Sequence, residues 1–502
     1  MATYLKLTLT LLIVCSGCKA PGTSYSAARA APTITSPKMA SVKTSETASA
    51  RTDEPDAEIQ QVSVEEPVPV DGTSSNPPAT IPLPATNLSL GNSIALGLSQ
   101  NPDLVALRQT EHVGAAALGV AQTYPFNPFV QVQATPYQDA VSSGPGTTYH
   151  YVLLMQTIQL AHQQQFREDG AACNLNSTRW NIHQAELLNV GQTERLYFTT
   201  LYLQGLLELA QASHQNNQQL LRTLEKQLEA GQATAADVAI VRVDTRSTHQ
   251  QQRLARANHE TALRDLKRQL GLTADDPAVA IGDLRLTSWR DPVEVVLKSQ
   301  SVESAAALKI DHEQEREKYL ISSRAAARPD VMAAHSDIDT ARANLGLASA
   351  SRVPDLQIGP YYQRTADGTT FLGFRAQMDL PVINSGRPLE QQRTAELNQR
   401  IAVWQQAMRR AELEAQAAWE RYKLAHEAVT EDSADVATDL PKTLQGLEQQ
   451  FNAGEVDVVR VVQARTSIIQ NQRVRLDLLN ELAQAAANLT AATGMSVDEL
   501  LQ

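Results

Sequence analysis

Few residues of this 502-residue sequence stand in patterns that do chemistry, and the clearest pattern lies at its start. Cys15-Ser16-Gly17-Cys18 follows an apolar run from Leu7 to Val14, with Lys6 before it. Residues 1–17 therefore read as a secretory signal peptide, too short to anchor stably across a bilayer. Small residues at Ser16 and Gly17 fit the pattern that is cut ahead of a lipidated cysteine, which makes Cys18 the thiol to be modified. Cys15 is the poorer candidate because Val14 precedes it where a small residue is needed, and it stands where leucine is usual ahead of Cys18. Ordinary cleavage beside an idle cysteine is the alternative. After processing, Cys173 is the remaining thiol, so an exported chain would have no intrachain disulfide framework and must be held by packing.

Elsewhere the residue types occur without the spacing that chemistry needs. His249 and His259 lie ten residues apart, about 1000° of helical turn and so about 80° off alignment, which is poor geometry for one metal. There is no glycine-rich phosphate loop, no His-Glu-x-x-His, no paired-cysteine spacing and no nucleophile elbow. The sequence thus offers no catalytic, cofactor or metal site. A formal charge of −12 and a pI near 5.4 argue against a nucleic-acid partner.

What remains to be explained is architecture. At 20% charged and 42% hydrophobic the chain is globular on average, but residues 18–87 are rich in Pro, Ser, Thr and Ala, with Pro77-Pro78 and Ile81-Pro-Leu-Pro84. Such a segment buries too little apolar surface to offset its ordering entropy, and reads as a disordered tether. The folded part is expected from Leu88.

That part writes one hairpin twice. Leu228-Glu-Ala-Gly231 runs through Asp237 to Leu270-Gly271, and Phe451-Asn-Ala-Gly454 runs through Asp457 to Thr493-Gly494. Since 271 − 231 and 494 − 454 both give 40, the copies superpose without a gap, at an offset of 454 − 231 = 223. Upstream, Asn101-Pro102-Asp103 is matched by Arg328-Pro329-Asp330, and Pro128 by Pro354. This is a tandem duplication, with repeats at 88–271 and 328–495, a connector at 272–327 and a tail at 496–502.

Each repeat follows one plan. A helix comes first, Ser89 to Gln122 broken at Asn101-Pro102, and Arg328 to Ser351. Two strand candidates follow. Leu372, Phe374, Ala376, Met378 and Leu380 alternate with Gly373, Arg375, Gln377 and Asp379; Leu356, Ile358 and Tyr362 alternate with glutamines, and Ala366-Asp367-Gly368 turns the chain. In the first copy Val130, Val132 and Ala134 alternate with Gln131, Gln133 and Thr135, and Thr148 to Leu160 is the mate beyond Ser143-Gly-Pro-Gly146. Four strands of about ten residues, each apolar on one face, suit a membrane-crossing barrel as well as two ordinary hairpins.

Long helices complete the plan. Gln163 to Ala230 and Pro388 to Ala453 are rich in Gln, Ala, Leu, Glu and Arg, and at 1.5 Å per residue each gives a rod of about 100 Å. Each turns at its glycine and comes partway back. Apolar residues at heptad-like spacing, such as Leu196, Leu203 and Leu207, or Val461, Ile468 and Leu476, suit coiled-coil seams. Pro441 stands inside the second rod where Gln218 stands in the first, so the two should bend differently. In the connector, Leu284-Arg-Leu286 reads as a short strand and Pro292 to Ala327 as a helix, with Glu315-Arg-Glu-Lys as its charged face and the whole as a belt against the rods.

Taken together, these features resemble the TolC-like outer-membrane efflux proteins, the exit ducts of tripartite pumps and type I secretion systems. The resemblance spans Leu88 to Met495. It is carried by the duplicated Ala-Gly turns with their 40-residue returns, by Asn101-Pro102, by Arg352-Val-Pro354-Asp-Leu leading into a strand, and by Leu380-Pro-Val-Ile383 with Gly386 leaving one. The first copy departs at its strand exit, where Leu160-Ala-His-Gln lacks the usual glycine.

The resemblance implies a mostly α fold with a membrane β-barrel portion: duplicated strand pairs plus long coiled-coil helical hairpins, assembled as a trimeric α/β-barrel duct. Four strands cannot close a barrel, and family members form homotrimers of twelve. It implies an outer-membrane location reaching into the periplasm, a periplasmic adaptor as partner, an inner-membrane pump of the resistance-nodulation-division or ABC type, and no enzyme activity. The tip turns at Gly231 and Gly454 become the adaptor contact. In the family a tip Asp, an Arg and an aromatic tie adjacent hairpins shut, and an acidic ring narrows the pore. Asp237 and Phe451 fall on two of those places, Val456 replaces the Arg, and Arg460 and Gln463 stand where the ring would be. Such a gate would close some other way, with Arg460 pairing with Asp237 or Asp457; an exposed helical carboxylate near a turn is the plainer reading of Asp237. The alternative for the whole chain is a lipid-tethered periplasmic coiled-coil scaffold without a pore.

Overall fold

The computed structural model describes residues 87–138, 147–298, 313–365, 367–435, 446, 449–451 and 456–501. The leader with Cys18, the tether, the Ser143–Gly146 loop, Pro441 and the Gly454 turn lie outside the described residues.

Side-chain caps set the boundaries of the first repeat. After the two-residue β1 (Asn87–Leu88), Ser89 caps α1 (Leu90–Gln100), accepting from the Asn92 amide. Asn101 ends α1 and opens α2 (Pro102–Gln122), its Oδ1 accepting from the amides of Asp103 and Leu104 at 3.0 and 3.1 Å while Pro102 takes the first helical position. Strands β2 (Phe129–Gln138) and β3 (Thr147–Ile158) follow, then α3 (Gln163–Glu229), 67 residues long. Gly231 (φ +73°) reverses the chain, with Gln232 N donating to Gln227 O at 2.8 Å, and α4 (Ala235–Gln269) returns.

Gly271 (φ +72°) closes α4 with the same pattern, Leu272 N to Lys267 O. The two glycines are held by different demands. A Cβ at Gly231 would meet nothing within 4 Å, whereas at Gly271 it would lie 2.3 Å from the Gln100 carbonyl oxygen. Gly271 is therefore the point where the return docks on the α1–α2 break, and Asn101 Nδ2 donates to Gln269 O at 2.8 Å across that joint.

Helices carry the connector's ends, and the core lies where it meets the rods. β4 (Val279–Ala280) pairs in parallel with β1, and α5 (Pro292–Lys298) and α6 (Glu313–Ala326) flank residues outside the description. The expected strand at Leu284–Leu286 is instead a 3₁₀ turn. The Asp283 carboxylate accepts from Arg285 N at 2.9 Å, and Leu284 is buried while Leu286 is exposed, so one side chain anchors the turn. Leu284, Trp289, Val295, Leu320 and Ile321 share one apolar core with Phe198 and Leu266 of the first repeat and with residues of the second. Glu317, expected on a solvated face, accepts from Trp419 Nε1 at 2.6 Å and from Lys423 Nζ at 3.2 Å.

The second repeat runs α7 (Pro329–Ala350), β5 (Leu356–Arg364), β6 (Thr370–Met378), α8 (Arg387–Asp435) and α9 (Val458–Thr493), with α10 (Val497–Leu500) after it. Arg328, at the place of Asn101, is buried and bridges Asp330 at 2.6 Å and Glu414 at 2.8 Å, tying the start of α7 to α8. Gly386 leaves the strands at φ +73°, and in the first copy His162 takes φ +60° at 386 − 162 = 224 residues earlier. The turn persists without its glycine, at the roughly 1–2 kcal/mol that a left-handed L-residue costs.

One carboxylate is buried beside this core. Glu194 of α3 is fully buried, neither carboxyl oxygen has a well-formed hydrogen bond among the described residues, and burial pushes its pKa up to about 8, against weaker pulls from the nearby Thr490 hydroxyl and from Arg195. It is therefore protonated in the folded chain at pH 7. Its contribution to stability is full below the ordinary carboxylate pKa and is lost as pH rises toward 8, because the unfolded chain ionises first. Glu194→Gln should remove this dependence: thermal unfolding in detergent should show the variant gaining on the parent between pH 5 and 8. A gap that stays constant across that range would mean Glu194 is not held protonated.

Candidate functional site

Two places on the chain stand apart from its core: the sheet and the hairpin tip. The strands form one antiparallel sheet in the order β2-β3-β5-β6, the two hairpins joined through β3 and β5. Its register keeps one parity except at the end of β2, where a bulge after Thr135 pairs Gln138 with Thr147. Val132 pairs with Val152, Val152 with Tyr362, and Tyr362 with Leu372, so even-numbered residues share one face across all four strands. That face carries Val130, Val132, Leu154, Ile158, Ile358, Phe374 and Met378, all exposed; Leu372 and Phe374 are 82% and 81% accessible. Apolar side chains in such numbers, exposed on one side of a sheet, mark a surface meant for something other than water. A one-residue slip of any strand would turn its apolar set to the other side.

The odd face carries Gln131, Gln133, Tyr149, Tyr151, Tyr361, Gln363 and Arg375 around a concave depression. Among the described residues both edge strands, β2 and β6, have an unpaired side. Among the described residues no helix is long and apolar enough to cross a membrane.

At the tip, Leu220, Leu224, Val238 and Val241 of the first repeat pack with Val458 of the second, and Phe451, Leu221 and Val462 cover them. Four of the five buried side chains lie within the first hairpin, and Val458, worth about 1.5–3 kcal/mol by its burial, joins the second hairpin to them. The Arg465 guanidinium donates to Asn216 O at 3.2 Å across the same seam.

Residues 94–272 match the family model described as "Outer membrane efflux protein". Over that stretch the chain resembles the outer membrane efflux proteins. Solved structures of similar fold include that of CusC, in work on folding and transmembrane channel formation (18% identity, TM-score 0.63, 81% of this chain and 92% of that one). The Campylobacter jejuni CmeC outer membrane channel is 13% identical (TM-score 0.61, 81% and 85%), and the open state of the Neisseria gonorrhoeae MtrE outer membrane channel 15% (TM-score 0.60, 81% and 88%). At such identities the likeness speaks for fold. No curated protein matches the sequence.

The tip residues expected from the sequence separate on inspection. Asp237 completes a capping box: its Oδ2 accepts from Thr234 N at 3.1 Å and Thr234 Oγ1 at 2.6 Å, while its own amide donates to Thr234 Oγ1. Phe451 is half-buried against the tip cluster. Asp457, Arg460 and Gln463 are exposed, and among the described residues Arg460 makes no ion pair with Asp237 or Asp457. The His249 ring stacks near His214, centroids 5.1 Å apart, rather than near His259, and no group of three metal-ligating residues occurs among the described residues. The sequence signal for the capping box was present, Thr234 three residues before Asp237; the seam between repeats had none.

Asp237 and Arg460 therefore predict different outcomes. Asp237→Ala removes the carboxylate half of the capping box and should loosen the start of α4 by up to about 1 kcal/mol, read as faster amide exchange there. If Arg460 lines the gate expected from the sequence, Arg460→Ala should shift single-channel conductance, because a charge at a constriction acts through a poorly screened field. Unchanged conductance and ion selectivity in both variants would remove these residues from the gate.

Proposed function

We propose that three copies of this chain close a twelve-stranded barrel in the outer membrane and form a passive exit duct reaching into the periplasm. The observation that carries this is the four-stranded sheet with one exposed apolar face and two open edges. With four antiparallel strands, β6 of one copy runs antiparallel to β2 of the next under simple rotation, so three sheets join without a parity fault. Closure satisfies backbone groups that lipid cannot. The apolar face then meets acyl chains and the glutamine- and tyrosine-rich face lines water.

An inner-membrane pump of the resistance-nodulation-division or ABC type supplies cargo and energy through a periplasmic adaptor, whose contact is the turns at Gly231 and Gly454. Residues 1–17 direct export, Cys18 carries the lipid, and residues 18–87 tether it to the folded repeats. Asp237, Phe451, Asp457, Arg460 and Gln463 surround the tip where the duct narrows.

Cys18→Ser tests the membrane role of the strands. The variant should remain in the outer-membrane fraction after carbonate or high-salt washing, because the barrel holds it there. Release as a folded soluble monomer would support a lipid-tethered scaffold instead.

A further inference from the structure

The odd face of the sheet is more than a wet wall. Its four strands contain no carboxylate, and Arg375 is the one charged side chain that the register places on that face; Arg364 and His150 sit on the other, opposite each other near the hairpin ends. Two glycines lie close to it in the sheet. Gly359 pairs with Arg375 and Gly373 with Tyr361, and a Cβ at Gly373 would lie 2.9 Å from the Tyr361 ring. The Tyr361 ring thus lies over Gly373, with the Tyr151 ring beside it at 6.2 Å between centroids and 30° between planes. The guanidinium of Arg375 reaches across β5 to donate to Tyr151 Oη at 3.3 Å. Gln131, Gln133, Gln363 and Tyr149 complete a depression of about 600 Å³.

We infer that this depression is a binding station for aromatic anions, held by the Arg375 guanidinium and the Tyr151 and Tyr361 rings. A guanidinium offers a planar donor fork suited to a carboxylate or sulfonate, the phenol rings offer faces for stacking, and the glutamine amides satisfy remaining oxygens. The nearest carboxylate along β6 is Asp379, four residues on and exposed; at about 3.3 Å per residue it lies about 13 Å away, beyond a Debye length at physiological salt. The station's position inside a pore rests on the duct reading; its binding does not, because every residue in it comes from one chain. In the assembled duct three such stations give a positive ring that draws anionic cargo outward while holding it weakly enough to leave.

Isothermal titration of naphthalene-2-sulfonate into detergent-solubilised protein tests this, with neutral 2-naphthol as the companion probe. The parent should bind the sulfonate and prefer it to the naphthol by at least tenfold. Arg375→Gln should lose that preference while keeping the parent's strand circular dichroism. Gln133→Glu, which only adds a carboxylate to the depression, should weaken sulfonate binding in the same direction. No sulfonate binding by the parent, equal binding of the two probes, or binding unchanged by both substitutions would overturn the assignment. Loss of pore formation with sulfonate binding intact would count against the duct alone.

Discussion

The unpaired edges of β2 and β6 are the constraint on which the rest of the structure depends. A sheet with an exposed apolar face can be soluble only if that face is covered, and in lipid it can persist only if its edges are paired, since each open backbone group there costs several kcal/mol. The chain provides neither cover nor closure from its own described residues. Its long helices leave the sheet rather than folding over it: α3 packs on α4, α7, α9, α2 and α1. Both needs are met at once if further copies continue the sheet.

The helical part answers a different problem. A rod of 67 residues buries only a narrow seam along its length, so stability concentrates where more elements meet. The connector supplies them: Trp289, Leu284 and Leu320 enter the core, Tyr422 donates to Arg290 O at 2.7 Å, and Arg290 donates to Glu499 O at 2.6 Å. The tip is held by a second, smaller apolar cluster that belongs to both repeats. Between these points the rods are joined by polar pairs such as Asn217 with Asp244 at 2.6 Å, which fix alignment more than they add stability.

Much of this was legible in the sequence because it is periodic or capped. The alternation of Leu372 to Met378, the glycines at 231 and 271, and Asn101-Pro102 each state a local rule that the structure obeys. What was not legible depends on distant partners. Leu284-Arg-Leu286 has strand composition, but Asp283 turns it and the core takes one leucine. His162 holds a left-handed turn that glycine holds in the other repeat, since the surrounding fold imposes the turn whatever residue is there. Phe451 meets the tip cluster only once two hairpins far apart in sequence lie side by side, and Arg375 meets Tyr151 only through a register spanning three strands. Single-sequence patterns carry periodicity, not such encounters.

Closure of the barrel by several chains is the central claim, and the mass of the detergent-extracted particle tests it most directly. Native mass spectrometry of the mature protein, with strand content followed by circular dichroism, should give a trimer that loses its strand signal when it dissociates. A stable monomer that retains the full strand signal would show that the sheet needs no partner, and would contradict the account.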